Sequence, residues 1–115
     1  MASRALPKLE WKAYFDHLSK NLIGERAEVK IAGLASGNHI EARWVPLLGI
    51  TYESKGDLLE IALERLDHLI HRPRNIIVTE SPAGLESMEI VDSEGRKQVV
   101  KLMKPLRYPR RFTQR

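Results

Sequence analysis

The sequence predicts an α+β domain in which an N-terminal amphipathic helix packs on a strongly twisted antiparallel β-meander or partial barrel of six to seven short strands. Three observations support this class. One stripe of aromatic and aliphatic residues has helical spacing, several short runs alternate between apolar and polar residues, and tight-turn sequences separate those runs. The chain has 115 residues, which is enough for one domain with a single core.

The helix is predicted over about residues 7–22. Large apolar side chains recur there at intervals of three and four residues, which places them on one helical face: Trp11, Tyr14, Phe15, Leu18 and Leu22. Pro7 suits the first turn, and Gly24 is placed to end the helix. The opposite face is polar, so we expect the apolar face to cover the sheet.

The first two predicted strands cover residues 26–32 and 39–45. Both alternate between apolar and polar side chains, and the residues predicted to face the core are Ala27, Val29 and Ile31 in one strand and Ile40, Ala42 and Trp44 in the other. Pro46 lacks a backbone donor, so we expect the second strand to bend or to lie at a sheet edge there.

Residues 49–63, GITYESKGDLLEIAL, are typical of a hairpin, because two alternating apolar runs flank a tight turn. We predict that Gly56 takes the positive φ of this turn and that Ser54 and Asp57 bond the turn backbone through their side chains. Three later apolar runs are predicted strands separated by two more tight turns: residues 76–78, 88–91 and 98–103, with turns at 81–84 and 92–95.

Residues 58–71 admit two interpretations. Their alternation predicts a strand, a turn near residues 65–67 and a short second strand. By contrast, Asp57 followed by Glu60 resembles the capping box of a helix that would continue to Pro73. We favour the two strands, because the preceding run already supplies an alternating partner and a hairpin closes at little entropic cost.

The composition indicates a cytoplasmic protein. The chain has no cysteine, which excludes disulfides and thiolate metal sites. Its apolar runs are too short to span a membrane, and charges occupy the N-terminal stretch where a signal peptide needs an apolar core. The net charge is +4, but residues 101–115 hold six cationic residues and no acid. We therefore predict one domain at residues 1–103 and a basic extended arm at residues 104–115.

Three stretches carry a resemblance to a known family: PLLGITYESKGDLLEIAL, DHLIHRPRNIIV and LESMEIVDSEGRKQVVKL. They resemble a family of small bacterial proteins grouped as domain of unknown function 5335. The resemblance covers nearly the whole chain, and the basic tail from Leu106 onward lies outside the similar part. It implies a single β-rich domain in the bacterial cytoplasm, and it provides no catalytic residues.

Glu64, His68 and His71 form the one group with the composition of a metal site. On a helix these three residues would share a face, whereas on a strand His68 and His71 point to opposite faces. The favoured strand therefore argues against metal binding, and a zinc ion would also need a fourth ligand. We predict no cofactor. The spacing of serines, histidines and carboxylates specifies no catalytic constellation, so we predict that the protein is not an enzyme.

The tail KPLRYPRRFTQR interleaves arginines with aromatic residues, a composition that grips phosphates and stacks on bases. The candidate partner-binding residues are Lys104, Arg107, Tyr108, Arg110, Arg111, Phe112 and Arg115, with Arg72 and Arg74 as an extension of the same surface if they lie nearby. A structural alternative is an arm that packs Tyr108 and Phe112 on its own domain or simply aids solubility.

We therefore favour a non-enzymatic binding or adaptor module that contacts a protein or another acidic macromolecule through its basic arm, a sheet edge or both. The first alternative is a protein that associates with RNA or DNA through the arm. The second is a small enzyme or metal-binding protein.

Overall fold

The computed structural model describes residues 2–22, 24–32 and 38–107, which form a mainly β domain with one short α-helix. The elements, in chain order, are β1 (Ala2–Ala5), α1 (Trp11–Leu18), β2 (Arg26–Ala32), β3 (Asn38–Glu53), β4 (Leu58–Leu63), β5 (Leu66–His71), β6 (Asn75–Ser81), β7 (Gly84–Val91) and β8 (Lys97–Leu106). Short 3₁₀ turns at Lys8–Glu10 and Ser19–Asn21 flank α1. None of the helices in these ranges is long and apolar enough to cross a membrane.

The strands form one eight-stranded antiparallel sheet with the order β1-β6-β7-β8-β2-β3-β4-β5. Two runs of consecutive hairpins, β2 to β5 and β6 to β8, join where β2 pairs with β8. The ladder of the described residues leaves β1 and β5 as edges. The sheet is therefore open, with more strands than the six to seven predicted and an order that is not that of a simple meander.

Strand β3 is long because it changes partners halfway along. Its residues up to Pro46 pair with β2, and those from Leu47 onward pair with β4. Trp44 has a φ of 54°, and register shifts lie in the neighbouring β2 ladder. Each shift reverses the alternation of side chains. Of the three residues predicted to face the core in this segment, only Ala42 is buried, and Val45 packs against the core instead.

Helix α1 carries the predicted apolar stripe into the core, although it is shorter than predicted. All five members of the stripe are buried. The Trp11 and Tyr52 rings meet edge to face with 5.0 Å between their centroids, and Trp11 Nε1 donates to the Leu6 carbonyl at 2.8 Å. The helix thus covers the second half of β3, as expected for an amphipathic helix on a sheet.

The segment from Leu58 to His71 is a hairpin, which confirms the two-strand interpretation. Its turn is Glu64–Arg65, slightly earlier than predicted, with φ of 68° at Arg65. In the preceding turn, the prediction for Gly56 is wrong: the positive φ, 50°, lies at Asp57. The Asp57 side chain leaves the turn and bonds Tyr52, which explains why an aspartate holds this position.

Candidate interaction surfaces

The three residues considered for a metal site do not come together in the structure. His68 faces inward and is buried, whereas Glu64 and His71 are exposed. This follows from the two-residue period of a strand, which sends His68 and His71 to opposite faces. In the part of the chain that the structure describes, no group of three or more His, Asp or Glu residues could hold a metal ion.

His68 instead joins a buried polar network that links β5 to the turn between β7 and β8. Its Nε2 bonds the side-chain oxygen of Gln98, whose Nε2 donates to Asp92 at 2.9 Å. Asp92 also accepts from the backbone amides of Glu94 and Arg96 at 2.9 Å and from Arg96 Nε at 3.0 Å. Because Gln98 donates to a carboxylate, its oxygen must be the acceptor from His68, which fixes a proton on His68 Nε2.

The hydrogen-bond donors around Asp92 determine the direction in which its pKa is shifted. Burial by itself would raise the pKa of Asp92, but the hydrogen bonds from Gln98, from the two backbone amides and from Arg96 together lower it below its ordinary value. Asp92 is therefore a structural carboxylate that stays ionised at neutral pH. Each oxygen of the Asp92 carboxylate accepts two of these hydrogen bonds, so the carboxylate has no acceptor position left.

Strand β8 continues through the predicted start of the basic arm. Lys104 is exposed but lies within the strand, and Leu106 is fully buried and pairs with Leu85. The backbone at Leu106 passes so close to Gly84 that any side chain at Gly84 would clash with the Leu106 carbonyl oxygen. Residues 104–106 thus belong to the sheet. Tyr108, Arg110, Arg111, Phe112 and Arg115 lie outside the described residues.

Arg72 and Arg74 are exposed in the connection from β5 to β6. This connection is held against the β3–β4 turn, because the Arg72 amide donates to the Asp57 carbonyl at 2.7 Å. Asp57 is in turn fixed by the Tyr52 hydroxyl, which donates to it at 2.6 Å, and by Lys8 Nζ at 3.3 Å. These contacts hold the backbone that carries Arg72 and Arg74 in place.

We expect the Tyr52 hydroxyl to ionise at a higher pH than an ordinary tyrosine. Burial, together with the hydrogen bond to Asp57 and its negative charge, raises the pKa of Tyr52 to about 12. A raised pKa means that this phenol stabilises the fold below the unfolded-state value near 10, and that this contribution is lost as the pH rises toward 12. The phenolate absorbance that develops near pH 12 should fall by the contribution of one tyrosine in Tyr52→Phe, a substitution that costs about 0.5 to 1.5 kcal/mol at neutral pH.

Tyr14→Phe is the matched control for this titration, since Tyr14 is also buried but bonds Glu80 instead of Asp57. It should leave the transition near pH 12 in place. Absorbance near pH 12 that is the same in Tyr52→Phe as in the parent would show that Tyr52 does not ionise there.

The candidate cations within the described residues lie at opposite ends of strand β6, with Arg72 and Arg74 at one end and Arg107 at the other. Arg74 precedes the first residue of β6, and its amide bonds the Val91 carbonyl. The base of the arm passes Gly84, which pairs with Ser81 at the other end of β6. Seven residues of extended strand span about 23 Å at ~3.3 Å per residue. Arg72 and Arg74 therefore do not extend the surface at the base of the arm.

Comparison with known proteins gives a family but no chemistry. The model of a family of unknown function, DUF5335, matches residues 2–111. The match thus reaches beyond Leu106, where the resemblance seen in the sequence ended. An uncharacterized protein of Aquifex aeolicus (strain VF5) is 36% identical over 110 residues, which cover 95% of this chain and 99% of the relative. No solved structure matches the chain. On the strength of the family match, which spans both groups of hairpins and enters the basic tail, the chain belongs to the DUF5335 family of unknown function.

Proposed function

We propose that this protein is a non-enzymatic binding module of the bacterial cytoplasm that contacts an acidic macromolecule through its basic C-terminal arm. One observation carries the proposal: strand β8 ends in a buried residue directly before the basic residues from Arg107 onward. Leu106 is fully buried against the β6–β7 turn, and the next residue, Arg107, is exposed. An arm that leaves a rigid anchor loses less orientational freedom on binding than one on a loose linker.

The charge pattern of β8 also supports the proposal. Near its start, Arg96 and Lys97 are paired with acids at 3.0 Å and 3.5 Å. Further along, Lys101 and Lys104 are exposed, and within the described ranges neither forms a salt bridge. Lys101 and Lys104 are thus available for a partner, whereas Arg96 and Lys97 are neutralised.

A nucleic acid is the second candidate partner, because the arm alternates arginine with aromatic residues. Arginines contact phosphates and release counterions, whereas Tyr108 and Phe112 would stack on bases. An acidic protein surface would use the same arginines but would gain little from stacking. The aromatic residues therefore distinguish the two partners.

The test measures binding of the full chain and of a chain that ends at Arg107. This end point keeps Leu106, because a deletion from Lys104 would open the core. The probes are a single-stranded RNA oligonucleotide and poly-glutamate. We expect the truncated chain to keep its melting temperature but to lose most of its affinity.

Arg110→Ala with Arg111→Ala should flatten the dependence of log K on log salt for RNA by about 1.4 units, at ~0.7 per lost phosphate contact.

Lys12→Ala with Lys20→Ala is the matched control, because it removes the same charge from the exposed face of the helix region. It should leave the slope unchanged. If Tyr108→Ala with Phe112→Ala weakens RNA binding at an unchanged slope, the partner is a nucleic acid. Binding of poly-glutamate that needs Arg110 and Arg111 but is unchanged by the two aromatic substitutions favours an acidic protein. Binding that is independent of salt and survives the truncation would refute the role of the arm.

A further inference from the structure

The outer edge of β5 carries a row of backbone hydrogen-bonding groups with no partner in the described ranges. In an antiparallel ladder, hydrogen-bonded pairs alternate with non-bonded pairs. Arg72 bonds Asp57 at 2.7 Å, so residues 66, 68 and 70 direct their backbone groups to β4 by the same alternation. The amides and carbonyls of Asp67, Leu69 and His71 therefore point away from β4, toward the free edge.

Two other edges of the sheet are protected, at the second half of β3 and at β1. Beyond Pro46, the edge of β3 is capped by Ser19, whose hydroxyl donates to the Ile50 carbonyl at 2.9 Å and accepts from its amide at 3.0 Å. Edge strand β1 has only four residues and includes the charged Arg4. Short length and charge are common means of preventing edge pairing. The six residues of β5 contain no proline, lysine or bulge.

The side chains that accompany this free edge form a self-complementary set. Asp67, Leu69 and His71 alternate with buried residues and share the exposed face of the sheet, where 45% of Leu69 is accessible. An acid and a base thus flank one apolar residue at equal distances along the strand. When two copies of this row pair in antiparallel orientation, each Asp67 lies opposite a His71 of the other copy.

We propose that β5 pairs with β5 of a second copy across a two-fold axis at Leu69. Leu69 lies opposite the partner's Leu69, and Asp67 lies opposite the partner's His71. These three pairs use all the outward backbone groups of residues 67, 69 and 71, with two hydrogen bonds in each pair. The arrangement is isologous, as required for a closed dimer, and it continues the sheet from one copy into the other.

Other registers of the same strands are less favourable. A shift of two residues places Asp67 or His71 opposite Leu69 and leaves one outward residue of each strand without a partner. A shift of four pairs only one outward residue of each strand, His71 with the partner's His71 or Asp67 with the partner's Asp67, and in the second case like charges directly opposite each other destabilise the sheet. A single strand edge also buries less than the ~1,200 Å² of a standard interface, so we expect a reversible dimer that forms with increasing concentration.

Sedimentation of the full chain over a range of concentrations tests the proposal. The average mass should rise toward that of a dimer, and Leu69→Lys should keep the protein monomeric, because two lysines would then face each other across the axis. Leu48→Lys is the matched control, since Leu48 is 63% exposed but lies on β3, away from β5. It should dimerise like the parent. A monomer at every concentration, or a dimer that Leu69→Lys does not weaken, would overturn the proposal.

A cysteine variant tests the register itself, and the parent chain has no cysteine to interfere. Directly opposite residues in a hydrogen-bonded pair have Cα atoms about 5.5 Å apart, which a disulfide can bridge. Leu69→Cys should therefore form a cross-linked dimer on mild oxidation. Asp67→Cys should not, since the two copies of residue 67 would be about 13 Å apart, four residues along the strand. Equal cross-linking of both variants would contradict a register centred on Leu69.

Hydrogen exchange separates a second copy from a segment of the same chain as the occupant of the edge. The amides of residues 67, 69 and 71 should exchange rapidly at low concentration and become protected as the dimer forms. Protection of these amides at every concentration would show that the edge is covered within one molecule, and would overturn the proposal.

Discussion

Phe15→Ala is expected to lower the free energy of unfolding by about 3 to 5 kcal/mol, a large part of the stability of a domain of this size. Phe15 is fully buried and packs edge to face on Tyr14, with 5.3 Å between the ring centroids. It lies on the helix that covers the second half of β3, so its removal leaves a cavity between the helix and the sheet. Denaturant or thermal unfolding followed by circular dichroism measures the change.

Leu9→Ala is the matched control for this substitution. Leu9 lies in the 3₁₀ turn before the helix and is 100% exposed, so its truncation removes a large apolar side chain without creating a cavity. It should change the stability by less than about 0.5 kcal/mol. If Phe15→Ala costs no more than Leu9→Ala, the helix does not pack on the sheet in solution.

The elements that the sequence predicts well are those whose pattern is local. The stripe from Trp11 to Leu22 has helical spacing over three turns, and every member is buried. The hairpins on either side of Asp57 and of Gly95 have an alternating run on each side of a tight turn. In both cases, neighbouring residues contain the whole signal, because the partner strand follows directly in the sequence.

The features that local patterns miss depend on distant parts of the chain. Strand β1 is exposed along its whole length and lacks apolar alternation, so only its pairing with β6 defines it. The pairing of β2 with β8 joins two series of hairpins that are far apart in the sequence. Trp44 was expected in the core, but its positive φ reverses the alternation there. A pattern of period two cannot reveal such an irregularity.

At the candidate surfaces, too, local sequence patterns predict some features, whereas others depend on distant parts of the chain. The charge of residues 101–115 predicts an arm from residue 104, but residues 104–106 belong to β8 and Leu106 is buried, which the charge does not reveal. Arg72 and Arg74 share the sign of the basic tail, yet they lie at the opposite end of strand β6 from Leu106. The network of His68, Gln98 and Asp92 could not be foreseen, because its members come from β5, β8 and a turn. The turn residues Asp92 to Gly95 did provide a signal, but it predicts a turn and not a carboxylate with four donors.

Asp92→Asn is expected to destabilise the protein by about 2 to 4 kcal/mol at neutral pH. One carboxylate oxygen of Asp92 accepts from the amides of Glu94 and Arg96, and the other accepts from Gln98 and Arg96 Nε. An asparagine has only one oxygen, so its NH₂ group must face one of these two pairs of donors. If Gln98 turns to offer its oxygen, its own NH₂ group then faces His68. Even if His68 then moves its proton to Nδ1 and accepts from Gln98, Arg96 Nε still faces the NH₂ group of the asparagine, and in the opposite orientation the two backbone amides do. The substitution therefore removes at least one hydrogen bond of the network in every arrangement.

The pH dependence of this loss distinguishes a charged carboxylate from one that acts only through its shape. The pKa of Asp92 is lowered in the folded state, so its contribution is complete above the unfolded-state value near 4 and is lost as the pH falls through the folded-state value. The difference in the free energy of unfolding between the parent and Asp92→Asn should therefore narrow below about pH 4. Glu94→Gln is the control, because Glu94 also pairs with Arg96 but its side chain is 71% exposed. It should cost less than about 1 kcal/mol. A difference for Asp92→Asn that stays constant from pH 7 to pH 2 would show that the charge of Asp92 does not stabilise the fold.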